Sequence, residues 1–173
     1  MLNIKIIIIL FIILISTYIG ILKSSYYIER EKEIKNILTS LKYLRNKIEF
    51  TNLHLKDIFS EISENVYKEK INEDLEKCNI FKYVAKSNLN IRESFIDAIK
   101  KNTKLDSEDK LILNNLGLNL GIVERNVQIS EIDIAYNFLI ERLKDAEEKK
   151  VKNVKLYKTL GISIGLTISI VLI

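Results

Sequence analysis

Residues 6–22 read IIIILFIILISTYIGIL and residues 160–173 read LGISIGLTISIVLI, and neither stretch carries a charge. These two runs decide the fold. The first has 17 residues, the lower limit for a helix crossing a hydrocarbon core of roughly 30 Å. Lys5 and Lys23 bracket it, where their long stems can reach the headgroups. A charged start before an apolar run also fits a cleaved signal peptide. Here the small-x-small cleavage signature is poor and a charged helical pattern follows within a few residues, so the run reads as an uncleaved anchor. The second run reaches 18 residues once Leu156, Tyr157, Lys158 and Thr159 are counted, with Lys158 snorkelling. A helix apolar on all sides needs cover on all sides, and a middle of fewer than 140 residues can hardly supply it. The expected layout is an N-terminal transmembrane helix (1–24), a cytoplasmic helical bundle (25–155) and a C-terminal transmembrane helix (156–173).

Flanking bases orient the spans. Only Lys5 precedes the first, whereas Lys23, Arg30, Lys32 and Lys35 follow it; Lys149, Lys150, Lys152, Lys155 and Lys158 lead into the second. Both asymmetries place the middle in the cytoplasm. The same bases can touch anionic lipid, at roughly 1 kcal/mol for each one near the surface. Small residues recur every four positions in both spans, as Ser16, Gly20 and Ser24 and as Gly161, Gly165 and Ser169. That spacing puts them on one helix face, where another backbone can approach closely. The contact could be between the two spans or with a partner, and the spacing alone leaves both open.

The composition hides this division. The chain has 173 residues, 47% of them hydrophobic, and a formal charge of +4, all close to a soluble average. Its single Cys excludes an internal disulfide, and one Cys with one His cannot build an ordinary Cys/His zinc site in one chain. No Pro and five Gly leave little turn material for an all-β protein. The basic excess is small and mixed with acids, so no nucleic-acid stripe is expected.

The middle is expected to be all-α, a compact bundle of about six helices whose first and last are continuous with the spans. The first helix, about Tyr26 to Phe50, has Ile34, Ile37, Leu38, Leu41, Leu44 and Ile48 at helical spacing. A second, about Leu55 to Asn65, carries Ile58, Phe59 and Ile62. A third, about Val66 to Ala85, carries Ile71, Leu75, Cys78 and Phe81. A fourth, about Ile91 to Lys101, carries Phe95, Ala98 and Ile99, with Asn90 as N-cap and Glu93 placed for a capping box. A fifth begins near Asp106 with Glu108 and Asp109 at its positive end, carries Leu111, Ile112, Leu116 and Leu120, and stops at Gly121. The last begins near Glu124, carries Ile129, Ile132, Tyr136, Leu139, Leu143 and Ala146, and meets no breaker before Leu156.

Catalytic chemistry has no visible motif. No phosphate-cradling Gly-x-x-x-x-Gly-Lys-Ser/Thr loop occurs. His54 has no metal-type or nucleophile-type neighbours and reads as solvated or capping. Cys78 falls on a core stripe, where Cys behaves as a small hydrophobe. Glu141 and Asp145 beside Arg142 and Lys144 read as a solvated charged face. No enzyme activity, cofactor or metal is expected.

Three strings carry a family likeness. LGLNLGIVERNVQ (116–128) offers Leu116, Gly117, Leu120, Gly121, Arg125 and Gln128; LKYLRNKIEF (41–50) and YKTLGISIGL (157–166) follow the same layout. In their order and spacing the chain resembles stage III sporulation protein AB of endospore-forming bacteria over nearly its whole length. It departs at Val123 and Glu124, where Ser and Asp are usual, at Lys47, where an acid is common, and at His54, where Pro is common. That family is similar to the cytoplasmic domain of the inner-membrane platform proteins of type II secretion and type IV pilus machines. The resemblance implies a non-enzymatic platform or adaptor in the mother-cell membrane. It would belong to an eight-protein set that forms a channel between mother cell and forespore. The implied partners are a cytoplasmic secretion-type ATPase, membrane channel subunits and lipid, with no nucleic acid; homo-oligomerisation is left open. The alternatives are a two-span sensor with a helical relay domain and an enzyme without a recognisable motif. A sensor should present a sizeable domain outside the membrane, whereas five residues precede Ile6 and none follows Ile173.

Overall fold

The computed structural model describes residues 2–66 and 79–172, and the side chains of 7–66 and 79–171. The described residues form six helices and no strand: α1 (Leu2–Phe50), α2 (Leu55–Asn65), α3 (Ile80–Lys86), α4 (Ile91–Lys101), α5 (Ser107–Asn119) and α6 (Arg125–Leu172). The all-α class and the unbroken passage of the first and last helices out of the apolar runs are as expected. The chain divides into two compact units. One contains the residues up to Glu31 with those from Asp145 onward; the other is Lys32–Lys144.

In the Lys32–Lys144 unit, the α1 stripe Ile34, Ile37, Leu38, Leu41, Leu44 and Ile48 is buried throughout. Phe59 of α2, Phe81 of α3 and Phe95 of α4 are fully buried, and their ring centroids lie 5.5, 6.0 and 6.3 Å apart. Each such ring contributes roughly 1.5–3 kcal/mol by leaving water, plus about 0.5–1.5 kcal/mol for a well-placed aromatic pair. Side-chain caps fix where the short helices start. Asn79 accepts from the Lys82 N–H, Asn90 accepts from the Glu93 N–H, and Asp106 and Asp109 form a reciprocal capping box.

Two expectations need correction. The third helix was expected to run unbroken from about Val66, but Asn79 is extended and α3 starts after it, because its side chain takes the Lys82 N–H. The expected stripe residues Ile71, Leu75 and Cys78 lie outside the described residues. On α5, Leu111 is 60% exposed; Leu113, Leu116 and Leu120 form the buried line instead. His54 stands at the N-cap of α2 with its imidazole exposed and making no cap bond, in line with the solvated reading.

In the other unit, the apolar parts of α1 and α6 turn most of their surface outward: Phe11, Tyr18, Ile170 and Val171 are 62, 61, 73 and 81% exposed. Both helices are long and apolar enough to cross a membrane, and only 11% and 17% of their most apolar windows are buried. A core helix of a soluble protein would bury most of such a window, so these surfaces suit lipid.

Candidate functional site

The small residues of the two apolar segments meet each other. A Cβ placed on Gly20 would lie 2.6 Å from the Tyr157 carbonyl oxygen and 3.1 Å from the Gly161 Cα. One on Gly161 would lie 2.9 Å from the Ser16 carbonyl oxygen, and one on Gly165 would lie 3.1 Å from the Ile13 Cα and 3.3 Å from the Ser16 Cβ. Only hydrogen fits at Gly20 and Gly161, where the obstacles are backbone atoms. The Ser16 hydroxyl donates to the Gly161 carbonyl at 2.6 Å, a bond between helices 145 residues apart in sequence. Ser24 and Ser169 are buried, but their hydroxyls donate within their own helices, to the Ile21 and Gly165 carbonyls. The stripes thus join at Ser16, Gly20, Gly161 and Gly165, while Ser24 and Ser169 add no bond across.

Toward the charged end of this unit the contact changes character. Tyr27 stacks on Tyr157 with centroids 5.8 Å apart. Arg30, almost fully buried, donates to Asp145 at 3.2 Å, and Lys149 reaches the same carboxylate at 2.9 Å. Lys150 pairs with Glu31 at 2.6 Å. The Tyr27–Tyr157, Arg30–Asp145 and Glu31–Lys150 contacts fix which turn of α1 faces which turn of α6. Sequence spacing could not reveal these contacts between α1 and α6, because their members lie more than 100 residues apart.

The turn singled out by its motif lies between α5 and α6, in the Lys32–Lys144 unit. Gly121 has φ +79°, a left-handed conformation that ends α5 without a Cβ penalty. Gly117 faces Phe95, whose ring would lie 2.9 Å from an added Cβ. Leu116 and Leu120 are buried. Arg125 reaches across to the α1–α2 connection, donating to the Thr51 carbonyl at 3.1 Å and to Asn52 Oδ1 at 2.7 Å. Gln128 donates its side-chain amide back to the Val123 carbonyl at 2.8 Å. The six motif residues therefore terminate one helix, begin the next and tie both to a distant loop.

Charge is also buried in this unit. Arg142 donates to Asp106 at 2.7 Å and to the fully buried Asp109 at 3.0 Å, and pairs with Glu108 at 2.5 Å. The expectation of a solvated face is wrong for Arg142 and for Asp145, which meets Arg30, though Glu141 and Lys144 are exposed as expected. Glu33 is buried and accepts from Asn102 Nδ2 at 2.8 Å, with Lys104 Nζ at 3.9 Å. Burial pushes its carboxyl up from the ordinary range, against the pull of Lys104 and Asn102. Asn102 in turn accepts from the Lys104 and Leu105 N–H groups, so one amide ties α1 to the α4–α5 connection. Among the described residues no three His, Cys, Asp or Glu side chains are grouped to hold a metal ion.

The profile of the family described as Stage III sporulation protein AB matches residues 5–173. The chain is similar to Stage III sporulation protein AB of Bacillus subtilis (strain 168), 24% identical over 168 residues that cover 94% of this chain and 95% of that protein. No solved structure matches it. The seam, the two apolar helices and the motif turn all lie within the matched span, and this chain belongs to the stage III sporulation protein AB family.

Proposed function

We propose that this sporulation protein is a non-enzymatic membrane platform, an adaptor that docks a cytoplasmic secretion-type ATPase to membrane subunits of a channel between mother cell and forespore. The observation that carries the reading is the pair of continuous helices. α1 and α6 each run without interruption from an outward-facing apolar segment into a charged helical domain. No Pro, the strongest helix breaker, occurs in either helix. The seam at Ser16, Gly20, Gly161 and Gly165 supports two spans acting as one unit. The Lys-rich flanks support a cytoplasmic placement of the domain between the two spans. The domain's polar clusters are ion pairs that tie helices together, an arrangement suited to a scaffold.

Purification of the tagged full-length protein from membranes of sporulating cells tests this. The ATPase and the channel subunits should be recovered with it, and a deletion strain should stall after engulfment. Recovery of neither partner, or normal forespore development in the deletion strain, overturns the proposal.

A further inference from the structure

The α5–α6 hairpin is apolar on two faces. Its inner face buries Leu113, Leu116, Ile132 and Leu139. Its outer face exposes Leu111 (60%), Ile134 (53%) and Phe138 (53%), and Leu118 and Val127 extend the same apolar character along the two helices. A groove of about 220 Å³ runs between the two helices, walled by Leu111, Ile112, Ile134 and Phe138, with Asn115 and Glu131 as its polar members. A surface helix ordinarily keeps one apolar face and turns a polar one to water. An exposed apolar face with a groove in it marks an interaction site.

Charge selects among occupants. Glu131 is half-buried in the groove wall, and among the described residues no cation pairs with it. Glu141, exposed on the same helix, and Glu124, exposed just before its first residue, likewise meet no cation among the described residues. The neighbouring carboxylates are satisfied: Asp106, Glu108 and Asp109 by Arg142, and Asp133 by Arg45. Two of the hairpin's bases are engaged elsewhere, Arg142 as just described and Lys110 on the Lys100 carbonyl. A second copy seated face to face would set Glu131 and its neighbours against the same acids, and an anionic lipid surface would be repelled by them.

We infer that this groove receives an amphipathic helix of a partner protein, with aliphatic residues at i, i+3 or i+4 and i+7 in the groove and a Lys or Arg facing Glu131. The inference rests on the adaptor reading, because it assigns the surface by which the cytoplasmic domain holds a partner. Carboxylates around the groove speed encounter with a basic helix and reject acidic ones, while the apolar walls hold it.

The test places the photoreactive residue p-benzoylphenylalanine at position 138 of the full-length protein in sporulating cells and identifies the cross-linked peptide by mass spectrometry. The expected adduct is a peptide with aliphatic residues at helical spacing and a Lys or Arg among them. Its yield should fall about tenfold with Glu131→Lys and less with Glu131→Gln, while both variants keep the melting temperature of the parent. Exchanging the partner's base for Glu should restore the Glu131→Lys yield. Adducts only to this chain or to lipid, a cross-linked peptide without a base, or a yield unchanged by Glu131→Lys while partners still co-purify would sink the groove assignment and leave the adaptor reading intact. Failure of the parent protein to recover any partner removes both.

Discussion

Substitution of Gly20 is the sharpest perturbation the fold offers. An alanine methyl there would sit 2.6 Å from the Tyr157 carbonyl oxygen, about 0.8 Å inside ordinary contact at 3.4 Å. The obstacle is backbone, so no side chain can swing aside, and α1 and α6 must separate locally by about that amount. The Ser16–Gly161 hydrogen bond, 2.6 Å long, would stretch to about 3.4 Å and lose most of its strength. Bonds of this kind in membranes contribute roughly 0.6 kcal/mol on average and up to about 1.7. A radial gap of 0.5–1 Å also forfeits roughly a quarter to a half of each dispersion contact along the seam. Gly20→Leu should act more strongly than Gly20→Ala. The assay uses a cysteine pair, Ser16→Cys with Gly165→Cys, which gives up the Ser16 hydroxyl bond and reads the helix separation alone, in a background where Cys78→Ser leaves no other thiol. A Cβ at position 165 lies 3.3 Å from the Ser16 Cβ, close to the roughly 3.5–4.5 Å that a disulfide spans. Mild oxidation in isolated membranes should close the bridge, and adding Gly20→Leu should cut the closed fraction severalfold. If the bridge forms equally well with Leu at position 20, or fails to form with Gly there, the seam is wrong.

Four further outcomes are expected. Gly121→Val, forced to φ +79° with a branched side chain beside Leu55, should lower stability by about 1–2 kcal/mol in denaturant titrations in detergent, and Gly121→Asn by less. Arg142→Met should cost about 3 kcal/mol because Asp109 stays buried without its cation, whereas combining it with Asp109→Asn should recover part of that loss. Glu33 is held above the ordinary carboxylate value of 4.5, so the folded state keeps its proton more tightly than the unfolded chain does. Its contribution therefore falls as pH rises from about 4.5 through the raised folded-state value, and Glu33→Gln should remove that slope from a plot of melting temperature against pH. A reporter enzyme fused after Lys101 should be active in its cytoplasmic form, and activity only outside the cytoplasm contradicts the proposed topology.

The helices were legible because their signals are local. The α1 stripe from Ile34 to Ile48 appears as spacing, and Asn90 and Gly121 appear as the residue types that start and stop helices. The α5 face was misread for a physical reason: Leu111 and Leu113 are both apolar, and only tertiary packing decides which of them the core covers. The capping box escaped notice because Asp109 replaces the usual Glu or Gln at its third position. The small residues of the two apolar segments were visible as a repeat, yet their pairing depends on a register that spacing within one helix does not contain. The ties from Arg142 to Asp106 and from Arg125 to Asn52 were invisible for the same reason, since each joins residues from separate parts of the chain.

The Ser16–Gly161 bond also sets a schedule. At ribosomal rates of roughly 5–20 residues per second, the 145 residues between its donor and acceptor take roughly 7–30 s to make. In a membrane, the first segment waits through that interval with Gly20 bare and the Ser16 hydroxyl without its partner. Any neighbouring helix with a small-residue face can occupy the vacancy first. Closing the seam therefore competes with the traffic of the surrounding bilayer, and a crowded membrane would slow maturation of this protein before it affected the stability of the finished one.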